Sequence, residues 1–202
     1  MPVAFPQSNI NEGIFENRKG KGYYNTTQIA LLMGFRNLSE QYNNSRTEFQ
    51  NSPSLTMTNG YIFNKHWAAG IGVGFEMFDR NLFPVFIDIR RTMLDNKISL
   101  FFAFKMGYSI SDVRKKHYDN LSLDHSPYYA NNVYYKKSGG LMLHPEMGIK
   151  IPKSDKADLL FTVAYRYQRT KSTVSQDFGQ RYKWEHKVGM NRLSFGVAVM
   201  FR

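Results

Sequence analysis

Ile98-Ser-Leu-Phe-Phe-Ala-Phe-Lys-Met-Gly-Tyr-Ser-Ile110 is the stretch that decides the fold. Ile98, Leu100, Phe102, Phe104, Met106, Tyr108 and Ile110 are large and apolar. Between them stand Ser99, Phe101, Ala103, Lys105, Gly107 and Ser109, all small or polar except Phe101. A period of two is that of a β-strand, whose successive side chains leave on opposite faces.

The same alternation recurs along the chain. Leu159, Phe161, Val163, Tyr165 and Tyr167 interleave with Leu160, Thr162, Ala164, Arg166 and Gln168, and Leu193 to Phe201 repeat the pattern with Ser194, Gly196, Ala198 and Met200 between. Further strands are expected around Ile29–Phe35 (continuing weakly back to Tyr23), Leu55–Phe63, Trp67–Met77, Phe83–Arg90 and Gly140–Ile149, which makes eight. Gly70, Gly72 and Gly74 form a row on one face of the third strand. Their GxGxG spacing, with no helical pattern after it, argues against a phosphate-binding loop. Glycine at alternate positions points instead to a crowded face.

Composition narrows the classes. The chain has 202 residues, 42% hydrophobic and 15% aromatic, yet its mean hydropathy is −0.47. Apolar runs such as Trp67–Phe75 fall far short of the ~18 residues a spanning helix needs. The absence of cysteine excludes disulfides, thiolate metal sites and cysteine nucleophiles. With 27 Lys and Arg against 16 Asp and Glu, the net charge of +11 calls for an anionic neighbour.

Connections alternate in length. Short ones are read at Asn64–His66, Leu94–Lys97 and Pro152–Lys156; long ones at Arg36–Asn51, Asp112–Ser138 and Arg169–Lys187, with a shorter one at Asp79–Leu82. Short turns at one end and long loops at the other are the pattern of an up-and-down outer-membrane barrel. An even number of strands puts both termini on the short-turn side. A soluble ligand barrel of the lipocalin kind has the same period, but the interior of eight strands is only just wide enough for side chains. Five large apolar residues per strand would overfill it. Turned outward, they make a lipid-facing band, with Tyr61, Phe63, Trp67 and Phe201 as an aromatic girdle at the turn end. The expected fold class is therefore an all-β, eight-stranded antiparallel up-and-down transmembrane β-barrel.

Eight strands, alternating connections and the terminal strand Arg192-Leu-Ser-Phe-Gly-Val-Ala-Val-Met-Phe201 resemble small outer-membrane barrels of the OmpA/OmpX architecture. The opening Gly22-Tyr-Tyr-Asn-Thr-Thr27 and the turn Phe63-Asn-Lys-His-Trp67 resemble more particularly the outer-membrane barrel family common in Bacteroidetes. The likeness covers residues 22–202, and Arg202 after the terminal aromatic departs from it. It implies location in the outer membrane of a Gram-negative bacterium with both termini periplasmic, insertion by the outer-membrane assembly machinery, and no single activity. Residues 1–21, with no apolar secretory core, are expected to be a polar, periplasmic N-terminal tail.

Charges within the strands must point into the lumen, because each Arg or Lys at the lipid midplane costs about 2–4 kcal/mol. Glu76, Asp88, Arg90, Lys105, His144, Glu146, Arg166 and Arg192 are expected to fill the barrel as a structural charge network, with Glu76 and Glu146 meeting two or more of Lys105, Arg166 and Arg192. A gated ion or proton pathway is the functional alternative.

The longest loop collects His117, Asp119, Ser122, Asp124, His125 and Ser126. These are the residue types of a hydrolytic triad, but no nucleophile elbow or fixed spacing marks them. Two histidines without a third ligand do not define a metal site. The reading is non-catalytic, with no cofactor and no metal. Arg114, Lys115, Lys116, Lys136, Lys137, Arg181 and Lys183 concentrate the basic excess on the loop side beside Tyr118, Tyr128, Tyr129, Tyr134, Tyr135, Tyr182 and Trp184. Lipopolysaccharide phosphates and acidic sugars are the expected partners there, with other outer-membrane proteins as alternatives and nucleic acid excluded. An accessory subunit of a larger outer-membrane complex would carry an interrupted lipid face. A lipid-modifying enzyme and a narrow pore are the remaining readings.

Overall fold

The structure is a computed structural model, described here for residues 20–38, 46–77, 81–93, 98–111, 115–116, 133–178 and 180–202. Ten strand segments run in chain order as β1 (Gly22–Leu38), β2 (Arg46–Ile62), β3 (Trp67–Met77), β4 (Asn81–Thr92), β5 (Ser99–Ser111), β6 (Lys115–Lys116), β7 (Val133–Ser138), β8 (Gly140–Pro152), β9 (Ala157–Phe178) and β10 (Gln180–Phe201). Sequential antiparallel pairing from β1 through β5, then β8, β9 and β10, closes when β10 pairs with β1. The result is a closed barrel of eight strands, each expected from its alternation; β7 pairs alongside the loop-side part of β9, Lys171–Gln176, and β6 pairs with β7.

The stagger follows from the rungs. Starting at Thr26 and passing through Thr58, Gly72, Phe86, Gly107, Met142, Gln168 and Met190, one circuit returns to β1 at Arg36. A displacement of ten residues over eight strands fixes the strand tilt at about 40°, given ~3.3 Å rise per residue and ~4.8 Å between strands.

Parity separates two faces. Ile29, Ile71, Ile87, Phe104, Met106, Val163, Leu193 and Val197 are exposed on the outside, while Phe86, Phe101, Met142 and Leu160 are buried inside. Outward Tyr61, Phe63, Trp67 and Phe201 gather at the turn end, with Arg91 over the Trp67 ring at 5.3 Å. The Asn64 turn is held by its own side chain, whose Oδ1 accepts from the amides of His66 (2.9 Å) and Trp67 (2.8 Å).

Three strand boundaries lie farther out than expected. β1 runs to Leu38 and β2 begins at Arg46. The segment Arg169–Lys187, read as a loop, is mostly strand: β9 and β10 stay paired from Ala157 opposite Phe201 to Phe178 opposite Gln180. In these stretches Arg169, Lys171, Arg181, Lys183 and Lys187 give the composition of a loop while the backbone ladder continues. In Asp112–Ser138, likewise, Lys115–Lys116 and Val133–Ser138 are strand.

Two local irregularities have covalent causes. The β3–β4 and β8–β9 ladders skip the rungs at Pro84 and Pro145, where proline supplies no N–H donor. Between the pairs Ser138–Lys171 and Met142–Gln168, three residues intervene on one side and two on the other. That is the count of a β-bulge. It falls on Gly139 and Gly140, where an added Cβ would strike the carbonyl oxygens of Ser109 and Arg169.

Candidate functional site

The lumen is filled in three layers. At the turn end Tyr24, Ile62, Ala68, Phe101, Ala103, Leu160, Ala198 and Met200 form an apolar base. Tyr24 fits because β2 and β3 present glycine beneath it: a Cβ on Gly60 would lie 2.6 Å from its ring, and one on Gly70 2.8 Å from its hydroxyl. The glycine row of β3 therefore makes room for large lumen side chains. Arg90 enters this layer between the Tyr24 and Phe101 rings, 5.6 and 5.5 Å from their centroids, and its Nη2 donates to Asp88 Oδ2 at 2.6 Å.

The middle layer centres on Lys105 and Glu146. Lys105 Nζ lies 2.8 Å from Glu146 Oε2 and 2.6 Å from Gln28 Oε1. Gln28 Nε2 in turn donates to Glu146 Oε2 (2.9 Å) and Thr162 Oγ1 (2.8 Å). His144 Nε2 stands 3.4 Å from the same carboxylate oxygen. The third layer, toward the loops, holds Glu76 between Arg166 and Arg192, with Arg192 also donating to Gln168 and to Ser52 Oγ at 3.4 Å.

All eight charged residues singled out from the sequence are thus buried in the lumen. Their division differs from the expectation of one shared cluster: Glu76 takes both arginines, and Glu146 takes Lys105, His144 and Gln28. Stagger separates the two groups. Sequence reasoning missed Tyr24, Gln28, Gln168 and Asp158, all buried there. Arg202, the departure at the C-terminus, pairs with Asp158 at 2.8 Å and ties the end of β10 to β9.

Both signs occur in every charged layer, and the largest side chains lie among them. A lumen void bordered by Gln28, Phe86, Lys105, His144, Arg166 and Ser194 measures about 10 Å³, the room of roughly one water molecule.

On the loop side, Lys115 and Lys116 pair with Tyr135 and Tyr134, Lys136 and Lys137 with Thr173 and Ser172, and Arg181 and Lys183 with Asp177 and Ser175. The backbone thereby collects six of the seven basic positions onto one ladder at the loop end. Arg114 lies outside the described residues, as do His117, Asp119, Ser122, Asp124, His125 and Ser126, and most of the tail 1–21.

No family model matches the chain, and no curated protein matches its sequence. Solved structures do resemble it. Neisserial surface protein A is 13% identical over 90% of this chain and 99% of its own, with a TM-score of 0.53. The outer membrane protein OprG from Pseudomonas aeruginosa is 12% identical over 94% of this chain and 99% of its own, with a TM-score of 0.54. The outer membrane protein AlkL, solved in DMPC lipid bilayers, is 11% identical over 100% of this chain and 97% of its own, with a TM-score of 0.50. At such identities the likeness is one of fold: this chain has the architecture of small eight-stranded outer-membrane barrels.

Proposed function

We propose that this chain is an integral outer-membrane barrel that performs no catalysis and contacts lipopolysaccharide through its basic loop-side ladder. The observation that carries the reading is the outward apolar row on all eight strands, set against a lumen whose charges are paired and buried. Water would penalise the first arrangement and hydrocarbon rewards it. From Trp67 to Phe75 along β3 the apolar row spans about 20 Å of membrane depth at ~3.3 Å per residue and ~40° tilt, close to the ~25 Å band of such barrels.

β1 begins and β10 ends on the short-turn side, which in this reading is periplasmic. The OmpA-like affinity rests on the eight strands, the alternating connections and the terminal strand Arg192–Phe201, and the Bacteroidetes affinity on the Gly22–Thr27 opening and the Phe63–Trp67 turn. Lipopolysaccharide is the anion at hand on the opposite side, and Lys115, Lys116, Lys136, Lys137, Arg181 and Lys183 supply matching charge. Refolded protein in phosphatidylcholine bilayers should bind bisphosphorylated lipid A more tightly than its dephosphorylated form. Replacing the four lysines at 115, 116, 136 and 137 by Gln should abolish that preference. An unchanged preference in the variant would overturn the assignment of the ladder.

Polar residues at Asn25, Thr27 and Asn59 interrupt the lipid face and favour a second reading, membership of a larger outer-membrane assembly.

A further inference from the structure

We propose that the outward face of β1 and β2 around Asn25, Thr27 and Asn59 is a membrane-buried interface between two copies of this chain. The proposal rests on the barrel being embedded in lipid, and it names the partner that the interrupted face requires.

Along β1 the outward row reads Tyr23, Asn25, Thr27, Ile29, Leu31, and along β2 it reads Tyr61, Asn59, Met57, Leu55. Tyr23 and Tyr61 face each other across the ladder at the turn end, and Asn25 faces Asn59 one step deeper. Thr27 is four residues inward of Tyr23, about 10 Å deeper at ~3.3 Å rise and ~40° tilt. On the flanking strands this outward stretch is apolar: Ile71 faces Asn59 from β3, and Val199 faces Thr27 from β10. Asn25 itself faces the girdle residue Phe201 from β10, so the patch starts at the girdle and reaches through Asn59 and Thr27 into the hydrocarbon band.

Its hydrogen bonding is incomplete in a self-complementary way. Asn59 Oδ1 accepts twice, from Tyr23 Oη at 2.5 Å and Asn25 Nδ2 at 2.6 Å. Among the described residues Asn59 Nδ2 donates to nothing, and Asn25 Oδ1 receives only Thr27 Oγ1 at 3.5 Å. Hydrocarbon offers neither donor nor acceptor, so an open amide in it favours protein contact. A patch that exposes one open donor beside one open acceptor satisfies both against its own copy about a two-fold axis, where each contact is made twice. A foreign partner would need a matching polar patch of its own; a second copy already carries one.

The chain lacks cysteine, so single-cysteine variants report the interface directly. Met57→Cys, outward on β2 opposite Thr27, and Thr27→Cys, oxidised with copper phenanthroline in the membrane, should give a species of twice the monomer mass on non-reducing gels. Met106→Cys, outward on β5, should not. In mild detergent the wild type should sediment as a dimer and Asn25→Leu/Asn59→Leu as a monomer, with the double variant keeping its boiling-dependent gel shift. Monomeric Met57→Cys after oxidation, equal cross-linking at Met106→Cys, or an adduct with a different protein would each overturn the dimer. Failure of the membrane reading is read separately, as a wild type that is soluble without detergent and shows no gel shift on boiling.

Discussion

Phe86 on β4 lies across the backbone of Gly72, its cross-strand partner on β3, so closely that a Cβ at position 72 would collide with the ring and would lie 2.9 Å from Thr58 Oγ1. The small residue is the condition for the large one, and together they fill the middle of the lumen.

Gly72→Val should therefore lower barrel stability. Overpacking a filled interior costs about 1–3 kcal/mol, and the void of about 10 Å³ beside Phe86 is too small to take its ring. Gly72→Val with Phe86→Leu should recover part of the loss. Urea unfolding in detergent micelles checks this, and equal midpoints for Gly72→Val and wild type would contradict the packing.

Glu146 and Lys105 provide a second test. Glu146→Gln leaves the Lys105 ammonium buried without a carboxylate, and breaking one partner of a buried pair costs about 3–5 kcal/mol. Lys105→Met combined with Glu146→Gln should be more stable than Glu146→Gln alone. A double-mutant cycle with no coupling between the two positions would show that Gln28 and His144, not Lys105, hold the carboxylate.

Much of this was legible in the sequence, and the limit has a physical origin. Parity decides which face a side chain takes, so the burial of Glu76, Asp88, Arg90, Lys105, His144, Glu146, Arg166 and Arg192 follows from alternation alone. Which of them touch depends on the ten-residue stagger, and no single strand encodes it. Glu76 thus reaches Arg166 and Arg192 instead of Lys105. Weak alternation back to Tyr23 was itself a signal: the row weakens because Asn25 and Thr27 are polar on the outside. The outer stretches of β9 and β10 escaped for another reason: Arg169, Lys171, Arg181, Lys183 and Lys187 give them a loop-like charge density, which hides the alternation of Tyr182, Trp184 and Val188 with Lys183, Glu185 and Lys187.

Phe102→Arg should lower the insertion yield, whereas Lys105→Ala, three residues away and on the other face, should insert fully and lose stability. Phe102 faces Arg91, which stacks over the girdle residue Trp67, so an Arg there meets hydrocarbon near its edge, below the about 2–4 kcal/mol of the midplane, and no lumen partner lies within its reach. The cost of Lys105→Ala comes from an unpaired Glu146, so adding Glu146→Gln should restore much of it. The same addition should do nothing for Phe102→Arg. Folded yield, measured as the boiling-dependent gel shift after refolding into lipid, separates the two; rescue of Phe102→Arg by Glu146→Gln would mean that the faces are reversed.

The barrel should carry no steady current. Eight strands leave little lumen, and Tyr24, Phe101 and Met200 close its turn end with Arg90 held between two of the rings. Above that base the charges come as local pairs of opposite sign, Lys105 with Glu146 and Glu76 with Arg166 and Arg192. A selective pore presents a ring of one sign. An ion on its way through would have to displace partners already buried, in a space whose void near the middle holds about 10 Å³. Purified protein in planar bilayers should therefore show no ion-selective single-channel steps. Tyr24→Ala with Phe101→Ala, which empties the apolar base, should still conduct poorly because the paired layers above it remain. Large steps in that double variant alone would place the seal at the base, and steps in the wild type would overturn the filled-lumen account.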